Sequence, residues 1–211
     1  MRIYSAWGLT VVDVVKIAAL TGMTFCLGNL LLLGGALTYA PNVAAAVDQL
    51  PTWINRTIGV AALSAMACYL LWLAPRPRAI GRSRWRIVLP SLRSTLLQIG
   101  IGATDLSLVT LAMYALLPSG PEVGLVTVLI VFLTAALLGT ASHAPGGLGV
   151  IEVTMLVGLP QFPREEFLAA LLTFRVLYFV LPLLLAALSL GLREVRIMLR
   201  GEAALRRGRG E

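Results

Sequence analysis

Apolar positions along the chain fall into long unbroken runs rather than alternating or one-sided patterns. Val11 to Leu37, Trp53 to Leu73, Leu89 to Leu116, Val123 to Thr140 and Phe167 to Leu192 each read as apolar helix. A helix needs about 20 such residues to cross about 30 Å of hydrocarbon. Strands of a membrane barrel would be about 10 residues long and would alternate, and no such pattern is present. The expected fold is an all-α integral membrane protein, a polytopic helical bundle with about five long helices and a broken or re-entrant segment around residues 142–160. Tyr39-Ala40-Pro41-Asn42 ends the first run, and an amphipathic piece over 43–50 precedes the second. Trp53 and Trp72 stand at the two ends of the second run as interfacial anchors.

The break itself reads Ser142-His143-Ala144-Pro145-Gly146-Gly147-Leu148-Gly149-Val150-Ile151-Glu152. The apolar arm after it, 150–159, would be about 15 Å long as a helix, half a bilayer. Such an arm fits either a re-entrant hairpin or one full crossing followed by a thin one. Non-helical backbone at membrane depth is tolerated only against protein or a water-filled cavity, so the loop is expected to line one.

Composition agrees with the pattern, at 58% hydrophobic and 13% charged. A net charge of +7 raises the question of nucleic acid, and the placement of the charge answers it. Arg76, Arg78, Arg82, Arg84 and Arg86 fill one loop, and Arg193, Arg196, Arg200, Arg206, Arg207 and Arg209 fill the C-terminal tail, 11 of 17 basic residues beside membrane ends. This is the positive-inside pattern. It divides the chain into a transmembrane bundle, 1–192, with a basic cytoplasmic loop at 75–88, and a basic cytoplasmic tail at 193–211. No nucleic acid is expected as a partner. Cys26 and Cys68 lie within apolar runs without paired spacing and read as small packing residues. No removable signal peptide is expected at the N-terminus.

Candidate chemistry centres on the break and two intramembrane charges. Gly146, Gly147 and Gly149 leave backbone N–H groups uncovered where a helix begins, which favours an anion such as a lipid phosphate, or simply permits close packing. No Gly-Lys-Ser/Thr follows, and the only lysine is Lys16, so this is not a nucleotide loop. Glu152, a turn into the short arm, either caps it, pairs with an arginine or receives a cation. Arg175 lies near mid-depth and needs a partner, for which Asp105 and Glu152 are the candidates. Arg93 can snorkel to the interface, whereas Asp105, twelve residues later, cannot easily do so. Tyr178, with Phe174 and Phe179, forms either an aromatic wall or ordinary packing. His143 is the single histidine, so no metal cluster is expected. Adjacent Ser142 and His143 rarely form a catalytic pair, and no catalytic residues or cofactors are expected. A polar contact that steadies the break fits them better.

The break motif, followed by Ala169-Ala170-Leu171-Leu172-Thr173-Phe174-Arg175-Val176-Leu177-Tyr178-Phe179-Val180-Leu181-Pro182-Leu183, resembles the membrane region of the lysylphosphatidylglycerol synthase/flippase family, the multiple peptide resistance factors. Gln98-Ile99-Gly100 through Asp105 to Pro118, and Arg2 to Thr10, are similar as well. The resemblance implies a bacterial inner-membrane protein that translocates aminoacylated phosphatidylglycerol, which weakens cationic antimicrobial peptides. On that reading the partners are the membrane and an anionic or aminoacylated phospholipid, and the expected substrate-binding residues are Gly146, Gly147, Gly149 and Arg175 for the phosphate, Asp105 or Glu152 for the headgroup ammonium, and Tyr178 in the wall of the groove. The chain departs from the family in lacking the soluble synthase domain, in having fewer helices and in carrying Ile151 where phenylalanine is frequent. A homo-oligomer or a separate synthase chain is the further partner implied. Two other classes stay open: the membrane part of an aminoacyl or glycosyl transferase with a separate catalytic domain, and a small-solute secondary transporter, whose broken helices serve similar ends.

Overall fold

The computed structural model describes residues 11–74, 79–80, 87–88 and 90–193, with the backbone alone at 11–14, 79–80 and 87–88. The arginines of the 75–89 loop and the tail beyond Arg193 lie outside the described residues, as does the Arg2 to Thr10 segment.

Helix α1 spans Val11–Tyr39. Pro41 then starts the short helix α2, Pro41–Asp48, where its missing N–H costs nothing. Gln49, in the left-handed region at φ 60°, closes α2 by donating its N–H to the Ala45 carbonyl. The Asp48 carboxylate accepts from Leu50 N at 2.9 Å and from Asn55 Nδ2 at 3.1 Å, which ties α2 to helix α3, Thr52–Leu73. Trp53 and Trp72 are exposed at opposite ends of α3, as an interfacial placement requires.

The loop that follows contains a minimal antiparallel ladder, β1 Ala79–Ile80 against β2 Ile87–Val88, with Ala79 opposite Val88. Ser91 caps helix α4, Leu92–Ala115, by accepting the Ser94 N–H at 3.3 Å, so α4 begins three residues later than its apolar run. Helix α5 is Leu125–Ala141, a one-turn 3₁₀ segment covers Pro145–Gly147, and helix α6 is Val150–Gly158. The last helix, α7, spans Arg164–Arg193. Among the described residues four helices, α1, α3, α4 and α7, are long and apolar enough to cross a membrane, and α5 and α6 are shorter apolar helices. The bundle is therefore an all-α polytopic membrane protein, with α5 as the shortfall from the five long helices expected.

Two glycine crossings set the bundle. A Cβ added at Gly28 would lie 2.5 Å from the Gly102 backbone, and one at Gly102 would overlap the Thr24 carbonyl, so α1 and α4 meet backbone to backbone. Gly59 of α3 packs as tightly on Gly34 and Thr38 of α1. Gly35, by contrast, faces open space. Cys26 and Cys68 are free and exposed, not the packing residues their positions suggested, because the apolar face of a membrane helix also points at lipid. Asn29, 1% exposed, donates from Nδ2 to the Leu133 carbonyl at 3.4 Å and joins α1 to α5.

The main core gathers Leu106, Val109 and Met113 of α4, Val128, Val131, Leu133 and Ala135 of α5, Met155 of α6 and Phe167, Leu171 and Phe174 of α7. Helix α5 is thus the hub, and a helix apolar on every side belongs inside. Its pairing with α6 gives the broken segment its shape. Gly139 lies against Ile151 and Gly158 lies against Val131, so the arms run antiparallel and the chain turns back on itself. The segment is a helical hairpin whose tip is the glycine motif.

Candidate functional site at the hairpin tip

The tip, residues 142–149, is held by its own polar groups. Ser142 Oγ donates to the Gly139 carbonyl at 2.8 Å and accepts the Ala144 N–H at 3.3 Å. His143, at φ 54°, places Nδ1 2.8 Å from the Ala141 carbonyl. These contacts end α5 and turn the chain, the steadying role expected of the pair. Gly146, Gly147 and Gly149 all have positive φ, which explains their identity.

The expected bare amides are partly engaged. Gly147 N donates to the Ala144 carbonyl at 2.9 Å and Leu148 N to the Pro145 carbonyl at 3.3 Å. Gly149 N donates to Glu152 Oε2 at 2.8 Å, one half of a capping box. The other carboxylate oxygen of Glu152 forms an ion pair with Arg175 Nη2, each side chain being 14% exposed. Arg175 Nη1 also donates to the Gly146 carbonyl at 3.4 Å. Of the two acidic candidates for Arg175, tertiary structure selects Glu152. The guanidinium thereby clamps both ends of the glycine turn to α7.

Arg175 lies eleven rises into α7, about 17 Å from its start and roughly halfway across about 30 Å of hydrocarbon. Directly after it, Val176–Val180 forms a π-helical turn. Pro182 supplies the reason, since its ring lacks an N–H and collides with the carbonyl four residues earlier. The turn aims Tyr178 and Phe179 toward the tip: Phe174 stacks on Tyr178 at 5.4 Å between centroids, and Phe179 lies 5.8 Å from the Arg175 guanidinium carbon.

Between these elements is a chamber of about 490 Å³. Asp105, Gly146, Gly147 and Tyr178 line it, with Thr140 and His143 as further polar neighbours. Glu152 and Arg175 do not line it; they face each other across a small cleft behind Phe174 and Ile151. Gly149 is likewise outside. Asp105 is exposed and has no hydrogen-bond or ion-pair partner among the described residues. An unpartnered carboxylate at mid-bilayer is costly unless water or a cation reaches it, which makes Asp105 the candidate for a site here. Phe25 and Thr140 also border the chamber and were not singled out in the sequence, where nothing distinguishes them from neighbouring apolar and hydroxyl residues. Among the described residues no group of three His, Cys, Asp or Glu side chains could hold a metal.

The tip yields a specific expectation. Alanine at Gly147 or Gly149 incurs about 1–2 kcal/mol of left-handed strain. At Gly147 the new Cβ would also lie 2.8 Å from Ile151 Cδ1, whereas at Gly149 it meets open space. Thermal unfolding in detergent should therefore show a larger fall in midpoint for Gly147→Ala than for Gly149→Ala.

Among the described residues, four helices long and apolar enough to span, around a buried hub and a helical hairpin, define a multi-pass α-helical membrane protein. The chain is similar to two longer proteins over almost all of its length: an uncharacterized protein of Synechocystis, slr0712, at 30% identity over 92% of the chain, and the inner membrane protein YbhN of Escherichia coli, at 31% over 97%. It spans 61% and 65% of their respective lengths. A phosphatidylglycerol lysyltransferase of Staphylococcus haemolyticus is 37% identical over 67 residues, 31% of the chain and 8% of that protein. A scan against protein-family profiles finds no match.

Proposed function

We propose that the chain is the lipid-handling region of a bacterial inner-membrane translocator for aminoacylated phosphatidylglycerol of the lysyl type. The unpartnered Asp105 carboxylate in the wall of the 490 Å³ chamber carries this reading. An ammonium group on the lipid headgroup complements it, and low dielectric at mid-depth strengthens the pairing. Tyr178 and the Gly146–Gly147 backbone border the rest of the headgroup, and the acyl chains remain in lipid. Arg175 and Glu152 act behind the chamber: they hold the tip in place rather than taking the phosphate directly. The similarity to an inner membrane protein and to part of a phosphatidylglycerol lysyltransferase supports the membrane and the lipid class. The arginines of the 75–88 loop and the tail support a cytoplasmic position for both. Delivery of a cationic lipid to the outer surface would lower its negative charge and so contribute to resistance against cationic antimicrobial peptides.

The test is transfer of a fluorescent aminoacylated phosphatidylglycerol between leaflets of proteoliposomes. Asp105→Asn is expected to slow transfer about tenfold or more, the scale of one lost charge-assisted contact. Transfer that is unchanged in Asp105→Asn removes the proposed site.

The partial lysyltransferase match favours one second reading, the membrane part of an aminoacyltransferase whose soluble catalytic domain is a separate chain. Co-purification of a soluble acyltransferase, together with no lipid transfer by this chain alone, would support it.

A further inference from the structure

Asp105 borders not one cavity but three. Besides the chamber, it ends a groove of about 540 Å³ between α1 and α4, whose walls include Leu20, Thr21 and Ile101. It also borders a shallower depression of about 500 Å³ across the outer face of α4. The groove and the chamber share Phe25, Asp105 and Leu106 as wall residues, so they adjoin at the carboxylate.

The direction of the groove follows from the helix pairing. Gly34 of α1 lies by Leu63 of α3, and Gly59 lies by Thr38, so α1 and α3 are antiparallel. Helix α3 runs into the β1–β2 loop and α4 runs out of it. Residues 17–24 of α1 and Ile101 of α4 therefore lie on the loop side of Asp105. The hairpin enters from the opposite side and ends at Arg175, where its tip is pinned. The groove thus reaches Asp105 laterally from the leaflet beside the 75–89 loop, with the hairpin bordering the chamber on the far face of the carboxylate.

From this geometry we infer that the α1–α4 groove is an entry site for a phospholipid from the leaflet on the β1–β2 side, with an acyl chain along Leu20 and Ile101 and a headgroup ammonium at Asp105. The inference rests on the proposed translocation for its headgroup chemistry and adds the route and the loading side. Charge complementarity selects the occupant. An apolar helix of another chain would leave the carboxylate buried and unpaired, whereas a lipid with an ammonium head satisfies the carboxylate and the apolar wall together. The glycine crossing at Gly28 and Gly102 holds the two walls at fixed separation beside the carboxylate.

The test uses the full chain in vesicles containing an aminoacylated phosphatidylglycerol with a photoreactive group on one acyl chain, with adducts mapped by mass spectrometry. Leu20 and Ile101 are 41% and 57% exposed, so tryptophan at either site fills the groove without entering the core. Adducts should concentrate on 17–25 and 101–106, and Leu20→Trp, Ile101→Trp and Asp105→Asn should each reduce them about tenfold. Adducts spread evenly over the exposed face of α7, with no loss in these variants, overturn the entry site. Lipid transfer measured on the same vesicles separates the two claims. Transfer without groove adducts overturns the route and leaves translocation standing, and groove adducts without transfer support the site and overturn translocation.

Discussion

Arg175→Ala is expected to release the hairpin tip from α7 and to produce the largest loss of stability of any single charged-residue change in the bundle. The guanidinium contacts the Glu152 carboxylate and the Gly146 carbonyl, the two ends of the turn. Removing it leaves Glu152, 14% exposed, as an uncompensated carboxylate at mid-depth. Breaking a buried pair from one side costs about 3–5 kcal/mol, while replacing both partners by neutral groups costs much less. The combination Arg175→Gln with Glu152→Gln should therefore recover part of the loss. Amide hydrogen exchange is the direct readout, since local opening is reported residue by residue. Protection at Gly147, Leu148 and Gly149 should fall in Arg175→Ala before protection in α4 does. Equal loss throughout the bundle would mean that the pair supports the fold as a whole and does not latch the tip.

Gly102→Leu should prevent assembly of the bundle, and Gly100→Leu, two residues away, should not. At Gly102 any Cβ overlaps the Thr24 carbonyl and comes within 3.3 Å of Gly28 Cα, so backbone opposes backbone and no rotamer change relieves it. At Gly100 nothing lies within 4 Å. Overpacking a core with flexible side chains costs about 1–3 kcal/mol, and a rigid crossing costs more because the helices themselves must separate. Size-exclusion profiles in mild detergent check this: Gly102→Leu should aggregate, and Gly100→Leu should elute as the parent protein does. A monodisperse Gly102→Leu would contradict the close crossing.

The membrane spans were legible in the sequence because their signal is local: a long apolar run has few structures open to it in lipid. The identity of the break was legible for the same reason, since Pro145 and three glycines interrupt a helix wherever they stand. Its topology was not. A re-entrant pair and a full crossing followed by a thin one share one sequence pattern and the same antiparallel contacts of Gly139 with Ile151 and of Gly158 with Val131. The partner of Arg175 was narrowed to Asp105 or Glu152 and no further, because helix spacing does not say which side of a neighbouring helix a residue faces. That selection reshapes the candidate site. Once Glu152 neutralises Arg175, Asp105 is the carboxylate left facing the chamber. Asn29 and Asn55 carried a readable signal, an amide within an apolar helix, that implies a buried partner. Gly102 carried a weaker one, being one of several glycines in membrane helices, and its role depends on α1 lying against that face.

The most direct measurement of the account compares initial transfer rates of aminoacylated and unmodified phosphatidylglycerol in the same proteoliposomes, for the parent chain and for Asp105→Asn. The account expects the ammonium-bearing lipid to move about tenfold faster in the parent, and the preference to vanish in Asp105→Asn. Equal rates for the two lipids in the parent, or rates no higher than in protein-free vesicles, would contradict it.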